Sequence, residues 1–319
     1  MKFKPILIVA GEPNSIFFEI FLKTIKNNKF RSPIILIASK KILEKHIRYF
    51  KYNLKFKEID FKKDLNKINP DIINLINIEY NQNKIFENIS NKSNTYIKKS
   101  FDIALQILSK GITNKFINGP ISKNTFLNKN FYGITEYLAQ KTNSKNIAMI
   151  IYNKSLSVCP LTTHLPVKYI SKKITKSAII NKVYIINSFW KEYFNKKPKI
   201  AVTGLNPHCE SIDIFNEDEK IIIPTIKFLK KKNYDILGPF PADTLFLKDN
   251  RKKFDVIIGM YHDQVLTPIK TLFEYDAINV TAGLPFIRVS PDHGPNEQML
   301  GKNKSNHLSI LRSIQFLDF

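Results

Sequence analysis

The sequence predicts an α/β protein built from two α/β/α lobes with a cleft between them. Short apolar runs alternate with helical patterns, which is typical of βα units around a mainly parallel sheet. The 319 residues exceed the size at which a single core keeps growing. Hydrophobic residues make up 43% of the chain, which is enough for a sizeable core and argues against global disorder.

The first half of the chain predicts three βα segments. In order, we expect a strand at 3–11, a helix at 15–28, a strand at 33–39, helices at 40–50 and 95–111, and a strand and turn at 115–123. Asn14 or Ser15 is the expected cap of the first helix, and Gly111 ends the last one in the usual C-terminal position. The asparagine-rich stretch 61–94 is weakly patterned, and we predict loop and partial helix there.

The second half continues this alternation without an internal repeat or a clean linker. We expect a hairpin at 147–153 and 156–163, a helix at 176–194, an apolar run at 199–208, a helix at 217–233, a turn at 238–244, apolar runs at 255–264 and 277–288, and a closing helix near 308–316. Because no linker is visible, we expect lobes that are discontinuous in sequence. Their predicted limits are 1–127 plus 289–319 for one lobe and 128–288 for the other.

The net charge of +23 suggests nucleic acid as a partner, but the charge pattern does not support it. Lysines are scattered through the whole chain among asparagines and isoleucines, as in an AT-rich genome. No zinc-finger spacing, basic region with heptads or aromatic RNA-binding strand is present. We therefore expect no nucleic-acid partner, whereas attraction of a small anionic metabolite fits the charge.

The amino-terminal sequence and the cysteines indicate a cytoplasmic protein without membrane contact. The first apolar run is interrupted by an acidic turn too early to form a secretion signal or a membrane span. Cys159 and Cys209 do not make a disulfide framework, which fits a reducing compartment. Each lies close to a strand-end histidine, so a thiolate metal ligand is an alternative to a buried, inert thiol.

Three of the six histidines each close a short apolar run: His164, His208 and His262. In an open α/β sheet the ligand crevice lies outside the carboxyl ends of the strands, where three imidazoles can converge. Three neutral imidazoles leave coordination positions open on a divalent ion, as in a catalytic site. The alternative for each histidine is a hydrogen-bonded loop residue. Their shared placement favours a metal site.

A nucleotide fingerprint is missing, because the ten glycines include no G-x-G pair. The GEP turn at Gly11–Pro13 can bring backbone amides near a phosphate, or it is an ordinary β-turn. A dinucleotide would therefore bind by a scheme other than the Rossmann turn or the P-loop.

The chain resembles the 4-hydroxythreonine-4-phosphate dehydrogenases of vitamin B6 biosynthesis. The resemblance rests on nine blocks in order: GEP at 11–13, GPISK at 119–123, TEY at 135–137, TTHLP at 162–166, GLNPH at 204–208, GPFPADTLF at 238–246, MYHDQ at 260–264, NVTAGLPFIR at 279–288 and DHG at 292–294. It implies an isocitrate/isopropylmalate-dehydrogenase-like fold and a homodimer with its active site at the interface. It also implies a divalent metal (zinc, magnesium or cobalt) and NAD or NADP.

The resemblance carries over site residues one by one. The family's metal ligands match His164, His208 and His262, the third ligand coming from the partner subunit. Its substrate contacts match Thr135, Lys270, Asn279 and Arg288. Asp243 and Asp263 stand beside the site, as partners of the histidines or, together with Lys270, as catalytic proton-transfer groups. The expected cofactor-binding residues are Gly11, Glu12, Pro13, Asp292, His293 and Gly294.

The implied reaction is oxidation of 4-phosphooxy-L-threonine at C3, followed by decarboxylation to 3-amino-2-oxopropyl phosphate. Two departures from the family pattern touch this expectation. Ile134 stands where the family has a histidine before the substrate threonine, and the GEP and DHG blocks continue without the expected small residues. The alternatives are a sister dehydrogenase of a 4-phosphorylated tetronate and a metabolite-binding homologue without turnover.

Overall fold

The computed structural model describes residues 3–65, 67–127, 131, 133–291 and 293–319. Its strands are β1 (Ile6–Val9), β2 (Ile34–Ala38), β3 (Phe56–Glu58), β4 (Ile73–Asn77), β5 (Lys115–Asn118), β6 (Ala148–Tyr152), β7 (Ser157–Thr162), β8 (Ile200–Thr203), β9 (Ile236–Phe240), β10 (Val256–Tyr261), β11 (Ile278–Ala282) and β12 (Ile287–Pro291). Its α-helices are α1 (Phe17–Asn27), α2 (Lys40–Tyr49), α3 (Asn94–Ser109), α4 (Ile134–Lys141), α5 (Lys176–Phe194), α6 (Ile223–Lys231), α7 (Ala242–Leu245), α8 (Lys248–Arg251), α9 (His262–Phe273) and α10 (Leu308–Leu317). Within these ranges no helix has the length and apolar character needed to cross a membrane.

The chain folds into two compact units, and the first is discontinuous in sequence. This first unit comprises Met1–Thr142 and Pro285–Phe319, and the second comprises Asn143–Leu284. The boundaries differ from the lobe limits predicted above, because helix α4 packs with the first unit. The Tyr137 ring on α4 lies 5.9 Å from the Phe101 ring and 5.5 Å from the Phe126 ring, measured between centroids.

The sheet of the first unit is parallel throughout and has the strand order β3-β4-β2-β1-β5-β12. Every residue of β1 and β2 is buried. Continuous apolar runs of this kind are typical of parallel strands that are covered on both faces. On α1, the rings of Phe17 and Phe21 stack with their centroids 5.5 Å apart and contribute to this core.

The sheet of the second unit has the strand order β11-β6-β7-β10-β8-β9. The predicted hairpin is confirmed, because β6 and β7 pair antiparallel. Beyond it, β7, β10, β8 and β9 run parallel. Their core is a cluster of buried side chains: Met149, Ile151, Leu156, Val158, Ala201, Leu245, Phe246, Ile257, Val265, Ile269 and Ala277.

Two local predictions were wrong. The stretch 61–94 contains strand β4, which the polar residues concealed. Its Asn74 is fully buried, yet its Nδ2 donates to the Ile34 and Asn69 carbonyl oxygens, so the amide is satisfied inside the sheet. The expected turn at 238–244 begins inside β9, which lies at the end of the strand order and therefore tolerates Pro239.

Candidate active site

The three candidate metal ligands follow three neighbouring parallel strands of the second unit. Strands β7 and β8 both pair with β10, with Thr162 opposite Tyr261 and Val202 opposite Ile258. His164 comes two residues after β7, His262 directly follows β10 as the first residue of α9, and His208 comes five residues after β8. All three therefore lie at the carboxyl edge of the same sheet, where parallel α/β sheets bind ligands.

The structure brings two of these imidazoles close together. The ring centroids of His164 and His262 are 5.8 Å apart. His262 Nδ1 donates to Asp263 Oδ1 at 2.6 Å, which leaves Nε2 as the nitrogen that can bind a metal. Because a metal lies about 2 Å from each ligating nitrogen, two imidazoles at this separation suit a shared ion.

Across the residues that the structure describes, no group of three or more His, Cys, Asp or Glu side chains is placed to hold an ion. His208 lies exposed on the loop after β8, outside the His164–His262 pair. Imidazole nitrogens are donors that suit zinc or cobalt better than magnesium.

The loop that carries His208 has an unusual backbone. His208 (φ 57°) and Cys209 (φ 62°) both adopt the left-handed conformation, which non-glycine residues rarely take. The fully buried Asp218 holds the start of this loop, since its carboxylate accepts hydrogen bonds from Leu205 N (2.9 Å) and Asn206 N (3.1 Å). Such strain persists only where the surroundings impose it.

Sequence reasoning did not single out Asp218 or Gln264. Asp218 is anchored by its own turn, in which its backbone N–H donates to Asn216 Oδ1 at 3.0 Å. Gln264 belongs to the MYHDQ block and bonds to Gly204, 60 positions earlier in the chain. The hydrogen bonds of Asp218 and Gln264 to the loop after β8 join segments that are distant in sequence. The one sequence signal for either residue is that Gln264 belongs to a family block.

Three further candidate groups lie in the second unit: Asp243, Cys159 and Cys209. Asp243 is exposed on α7, after β9. Burial raises the pKa of the Cys209 thiol, and Asp218 and Asp243 raise it further. Burial also raises the pKa of Cys159 to about 11. Both thiols are therefore protonated at neutral pH, and the buried Cys159 is an inert core residue.

Two candidate substrate residues lie in the second unit. Lys270, in the last turn of α9, is half-buried, and burial lowers the pKa of its ammonium group. Asn279, in β11, has a buried Oδ1 with no hydrogen-bond partner among the described residues. An unsatisfied buried acceptor is rare in folded proteins, and it fits a donor supplied by a ligand.

The other two candidate substrate residues lie in the first unit and contact each other. Arg288, in β12, is fully buried. Its Nη1 donates to Thr135 Oγ1 at 2.9 Å, and its Nε donates to Asn118 Oδ1 at 2.7 Å. Burial lowers the pKa of this guanidinium to about 10, so it stays charged at neutral pH. Ile134 precedes Thr135 as the first residue of α4 and is half-buried.

The GEP turn follows β1 and contacts the GPISK segment that follows the neighbouring strand β5. Gly11 has φ +78°, and a Cβ there would lie 2.3 Å from Pro120 O. Glu12 is fully buried, with Oε1 accepting from Asn14 N and Oε2 from Ser93 Oγ. Burial raises the pKa of this carboxyl group. Both carboxylate oxygens are thus engaged by the protein itself.

The DHG segment follows β12. This strand pairs with β5 on the edge of β5 opposite to β1. Asp292 lies outside the described residues. His293 Nδ1 donates to Gly294 O at 3.0 Å, and burial lowers the pKa of its imidazole. Pro295 O accepts from Ile16 N at 3.1 Å, so this segment and the GEP turn meet at the carboxyl edge of the first unit.

The chain is similar in sequence to known dehydrogenases over almost its full length. A family model described as "Pyridoxal phosphate biosynthetic protein PdxA" matches residues 29–317. A 4-hydroxythreonine-4-phosphate dehydrogenase of Sulfurihydrogenibium sp. is 37% identical over 313 residues, which cover 97% of this chain and 95% of the relative. A D-threonate 4-phosphate dehydrogenase of Salmonella typhimurium is 29% identical, with 97% of both chains covered.

The solved structures agree with this similarity. A 4-hydroxythreonine-4-phosphate dehydrogenase from Klebsiella pneumoniae superposes with a TM-score of 0.85 at 26% identity, and 98% of both chains is covered. An isocitrate dehydrogenase from Methylococcus capsulatus superposes with a TM-score of 0.50 at 9% identity, covering 98% of this chain and 84% of that one. The predicted isocitrate-dehydrogenase-like fold is thereby confirmed, and the chain belongs to the PdxA family of pyridoxal phosphate biosynthetic proteins.

Proposed function

We propose that the protein oxidises 4-phosphooxy-L-threonine at C3 with NAD or NADP in a metal-dependent reaction. The resulting keto acid then loses CO2 and becomes 3-amino-2-oxopropyl phosphate. The observation that carries the proposal is the placement of His164, His208 and His262 after three adjacent parallel strands. The names of the full-length relatives support the same substrate class.

The metal ligands in this proposal are the imidazoles of His164, His262 and His208. A divalent ion held there would lower the pKa of the substrate's C3 hydroxyl group and polarise the ketone that forms. Asp263 orients the His262 ring through the 2.6 Å hydrogen bond. Nitrogen donors make zinc or cobalt the expected ion, ahead of magnesium.

Lys270 is the proposed proton acceptor. Its pKa is lowered by burial, so a larger share of the amine is neutral and able to take the C3 hydroxyl proton. A bound nicotinamide would accept the hydride from C3 as the C3–O bond becomes a ketone. The bond to the carboxylate then breaks, CO2 leaves, and the electron pair left on carbon takes up a proton, for which Lys270, Asp243 and Asp263 are the candidate donors.

The anionic parts of the substrate and cofactor have separate candidate sites. Arg288 and Thr135 suit the substrate phosphate, because a buried guanidinium and a hydroxyl can both donate to it. Asn279 Oδ1 is an acceptor for the substrate's amine or hydroxyl groups. The GEP turn and the DHG segment are proposed to border the nicotinamide cofactor. Glu12 acts there by holding the turn, since its carboxylate is engaged by Asn14 and Ser93.

We also propose that the protein works as a homodimer whose interface includes the histidine edge. The loops after β7 and β8 expose large apolar side chains at this edge: Val167, Tyr169, Ile212, Ile214 and Phe215. Clusters of exposed apolar residues around a site are typical of protein interfaces. Because His164 and His262 lie 5.8 Å apart in one chain, we propose that His208, rather than His262, is the ligand that the partner subunit supplies.

A coupled assay tests the proposal directly. Purified protein is treated with a chelator, and NADH or NADPH formation is measured with 4-phosphooxy-L-threonine before and after zinc or cobalt is restored. We expect turnover only with metal, and none in His262→Ala. Turnover that persists without a divalent ion, or in His262→Ala, would refute the metal-dependent mechanism.

One alternative substrate is favoured by a specific observation. The relative named D-threonate 4-phosphate dehydrogenase is 29% identical to this chain, which is close to the 30% of several relatives named 4-hydroxythreonine-4-phosphate dehydrogenase. Its substrate has no amine. The ratio of kcat/KM for 4-phosphooxy-L-threonine to that for 4-phospho-D-threonate distinguishes the two, and a ratio below one would favour the alternative.

A further inference from the structure

The side chain of Asn118 links Arg288 to the backbone of the first unit's sheet. Asn118 is the last residue of β5 and is only 1% exposed. Its Nδ2 donates to Gly119 O at 2.9 Å, and its Oδ1 accepts from Arg288 Nε at 2.7 Å. Because the amide nitrogen bonds to the carbonyl group, the amide oxygen is the atom that faces the guanidinium.

Gly119, which accepts this amide hydrogen bond, is closely packed. Its N–H donates to Val9 O at 2.7 Å, and a Cβ on Gly119 would lie 2.1 Å from Ala10 O. The backbone after β5 therefore lies directly against the backbone at the end of β1, with no room for a side chain between them. The Asn118 amide is thus anchored to a part of the sheet that cannot shift easily.

The strand register explains why Arg288 reaches Asn118. Strands β5 and β12 run parallel, with Phe116 opposite Arg288. Alternate residues of a strand share a face, so Asn118 lies on the same face as Phe116, two positions nearer the carboxyl edge. The Arg288 side chain therefore extends along this face toward that edge, where its Nη1 donates to Thr135 Oγ1 at 2.9 Å.

The bond from Arg288 also sets the direction of the Thr135 hydroxyl group. The oxygen uses a lone pair to accept from Arg288, so its own O–H acts as a donor in another direction. Hydrogen bonds thus run in order from Gly119 through Asn118 and Arg288 to Thr135. The last two groups are donors of the kind that bind phosphate oxygens.

We propose that Asn118 is a positioning residue that orients Arg288 for the substrate phosphate, and that its acceptor must be neutral. The inference rests on the proposed function, in which Arg288 and Thr135 bind that phosphate. Burial lowers the pKa of Arg288 and the nearby Glu136 carboxylate raises it, so one anion already acts on the guanidinium. A carboxylate at position 118 would add a second anion beside the bound phosphate, and buried like charges repel strongly.

Binding of inorganic phosphate to the chelator-treated protein tests this role without requiring turnover. Phosphorus NMR titration gives the dissociation constant in wild type, Asn118→Asp, Asn118→Ala and Arg288→Met. We expect Asn118→Ala to bind phosphate about threefold more weakly, because Arg288 loses the acceptor that orients it. We expect Asn118→Asp to bind about 10–100-fold more weakly, because the new carboxylate repels the phosphate.

The order of these two variants separates the proposed role from a role in packing alone. Aspartate has the size of asparagine, whereas alanine leaves a cavity, so a packing role predicts the larger loss in Asn118→Ala. Asn74→Asp is the matched control, because Asn74 is fully buried in β4 of the same unit and donates to backbone carbonyl groups. It should bind phosphate as wild type does.

Two results would overturn the inference in different ways. If Arg288→Met binds phosphate as tightly as wild type, Arg288 does not bind the phosphate, and the proposed substrate site fails together with the role of Asn118. If Arg288→Met loses binding while Asn118→Asp keeps wild-type affinity, only the role of Asn118 is refuted. The same holds if Asn118→Ala binds more weakly than Asn118→Asp.

Asn118→Ser covers the case in which the other two variants do not fold. Its hydroxyl lies one bond closer to the backbone than the amide oxygen, so the bond to Arg288 Nε is lost while a small polar group remains. KM for the phosphorylated substrate should rise about threefold, and KM for NAD or NADP should stay at the wild-type value. A wild-type KM for the substrate in a folded Asn118→Ser protein would count against the positioning role.

Discussion

Arg288 illustrates at the scale of one residue how a buried charge can be kept for function. Its guanidinium is buried and donates hydrogen bonds to the neutral side chains of Asn118 and Thr135. A buried cation has lost its hydration and gains less from neutral partners than from an anion. Burial lowers the pKa of the group to about 10, whereas nearby Glu136 opposes this shift. In the proposed function this guanidinium donates hydrogen bonds to the substrate phosphate.

Ile134 gives the first prediction, because it lies beside Thr135 and cannot donate a hydrogen bond to phosphate. We expect Ile134→His to lower KM for 4-phosphooxy-L-threonine by about tenfold, with a larger gain below pH 6.5, where imidazole is protonated. Steady-state kinetics at pH 6 and pH 8 measure this effect. Ile134→Leu is the control and should leave KM unchanged. An unchanged or raised KM in Ile134→His would argue against a phosphate beside α4.

At the scale of elements, the GEP turn depends on close approach of the segments after β1 and β5. Gly11 and Gly111 both have positive φ, but only Gly11 would meet a neighbour if it carried a Cβ. Alanine at Gly111 should cost about 1 kcal/mol of unfolding free energy from backbone strain alone. Alanine at Gly11 should cost at least about 2 kcal/mol, because Pro120 must also move.

Denaturant unfolding of Gly11→Ala and Gly111→Ala measures these two costs. Because the GEP turn is proposed to border the cofactor, KM for NAD or NADP should rise only in Gly11→Ala. Equal losses of stability in the two variants would mean that the turn can relax. A normal cofactor KM in a folded Gly11→Ala protein would exclude the turn from the cofactor site.

Helices α1 and α2 pack around a buried histidine, which makes the first unit sensitive to acid. His46 Nδ1 donates to Ile42 O at 2.9 Å, and its ring stacks on Phe18 and contacts the edge of Phe86. Burial lowers the pKa of His46 to about 4, while Glu19 opposes this shift and Lys45 adds to it. The folded state therefore favours the neutral ring, and His46 destabilises the fold as pH falls from about 6.5 to about 4.

His46→Phe tests this dependence, since phenylalanine keeps the aromatic packing and cannot titrate. Between pH 7 and pH 5, wild type should lose about 2 kcal/mol of unfolding free energy that His46→Phe retains. Urea unfolding at both pH values measures the difference. His307→Phe is the control for replacing a histidine elsewhere and should keep the wild-type pH dependence. If His46→Phe loses as much stability as wild type, His46 is not the acid-sensitive group.

At the scale of the whole molecule, the net charge alone suggests a nucleic-acid partner, whereas the candidate site suits a small anionic substrate. Lysine and arginine number 50 against 27 aspartate and glutamate residues. The charged groups that carry the proposed chemistry, however, are few: Lys270, Asp243, Asp263 and Arg288. A general positive potential attracts anionic substrates and depends on salt, whereas specificity comes from these placed groups.

Subunit complementation tests the proposed shared site. His164→Ala and His208→Ala proteins are each expected to be inactive. If His208 of the partner subunit completes the site, a mixed dimer contains one intact site and one doubly defective site. After exchange of equal amounts, activity should recover to about a quarter of wild type, because about half of the dimers are mixed. Native mass spectrometry verifies the exchange, and no recovery in verified mixed dimers would refute the assignment of His208 to the partner subunit.

The sequence by itself determined the main elements and the candidate ligands. Uninterrupted short apolar runs such as β1 and β10 are typical of strands covered on both faces, and polar residues that follow such strands reach the carboxyl edge of a parallel sheet. For the same reason His164 and His262 could be assigned to a common edge before their 5.8 Å separation was known. Family blocks added the substrate and cofactor candidates.

The tertiary structure decided what depends on contacts between distant segments. β4 was missed because Asn74 looks like a loop residue until its amide is paired with Ile34 and Asn69. Helix α4 joins the first unit because Tyr137 packs on Phe101, which no local pattern encodes. Gln264 bonds to Gly204, and Arg288 bonds to Thr135. Local periodicity reflects burial, but the partner of a polar side chain is set only when the strands take their order in the sheet.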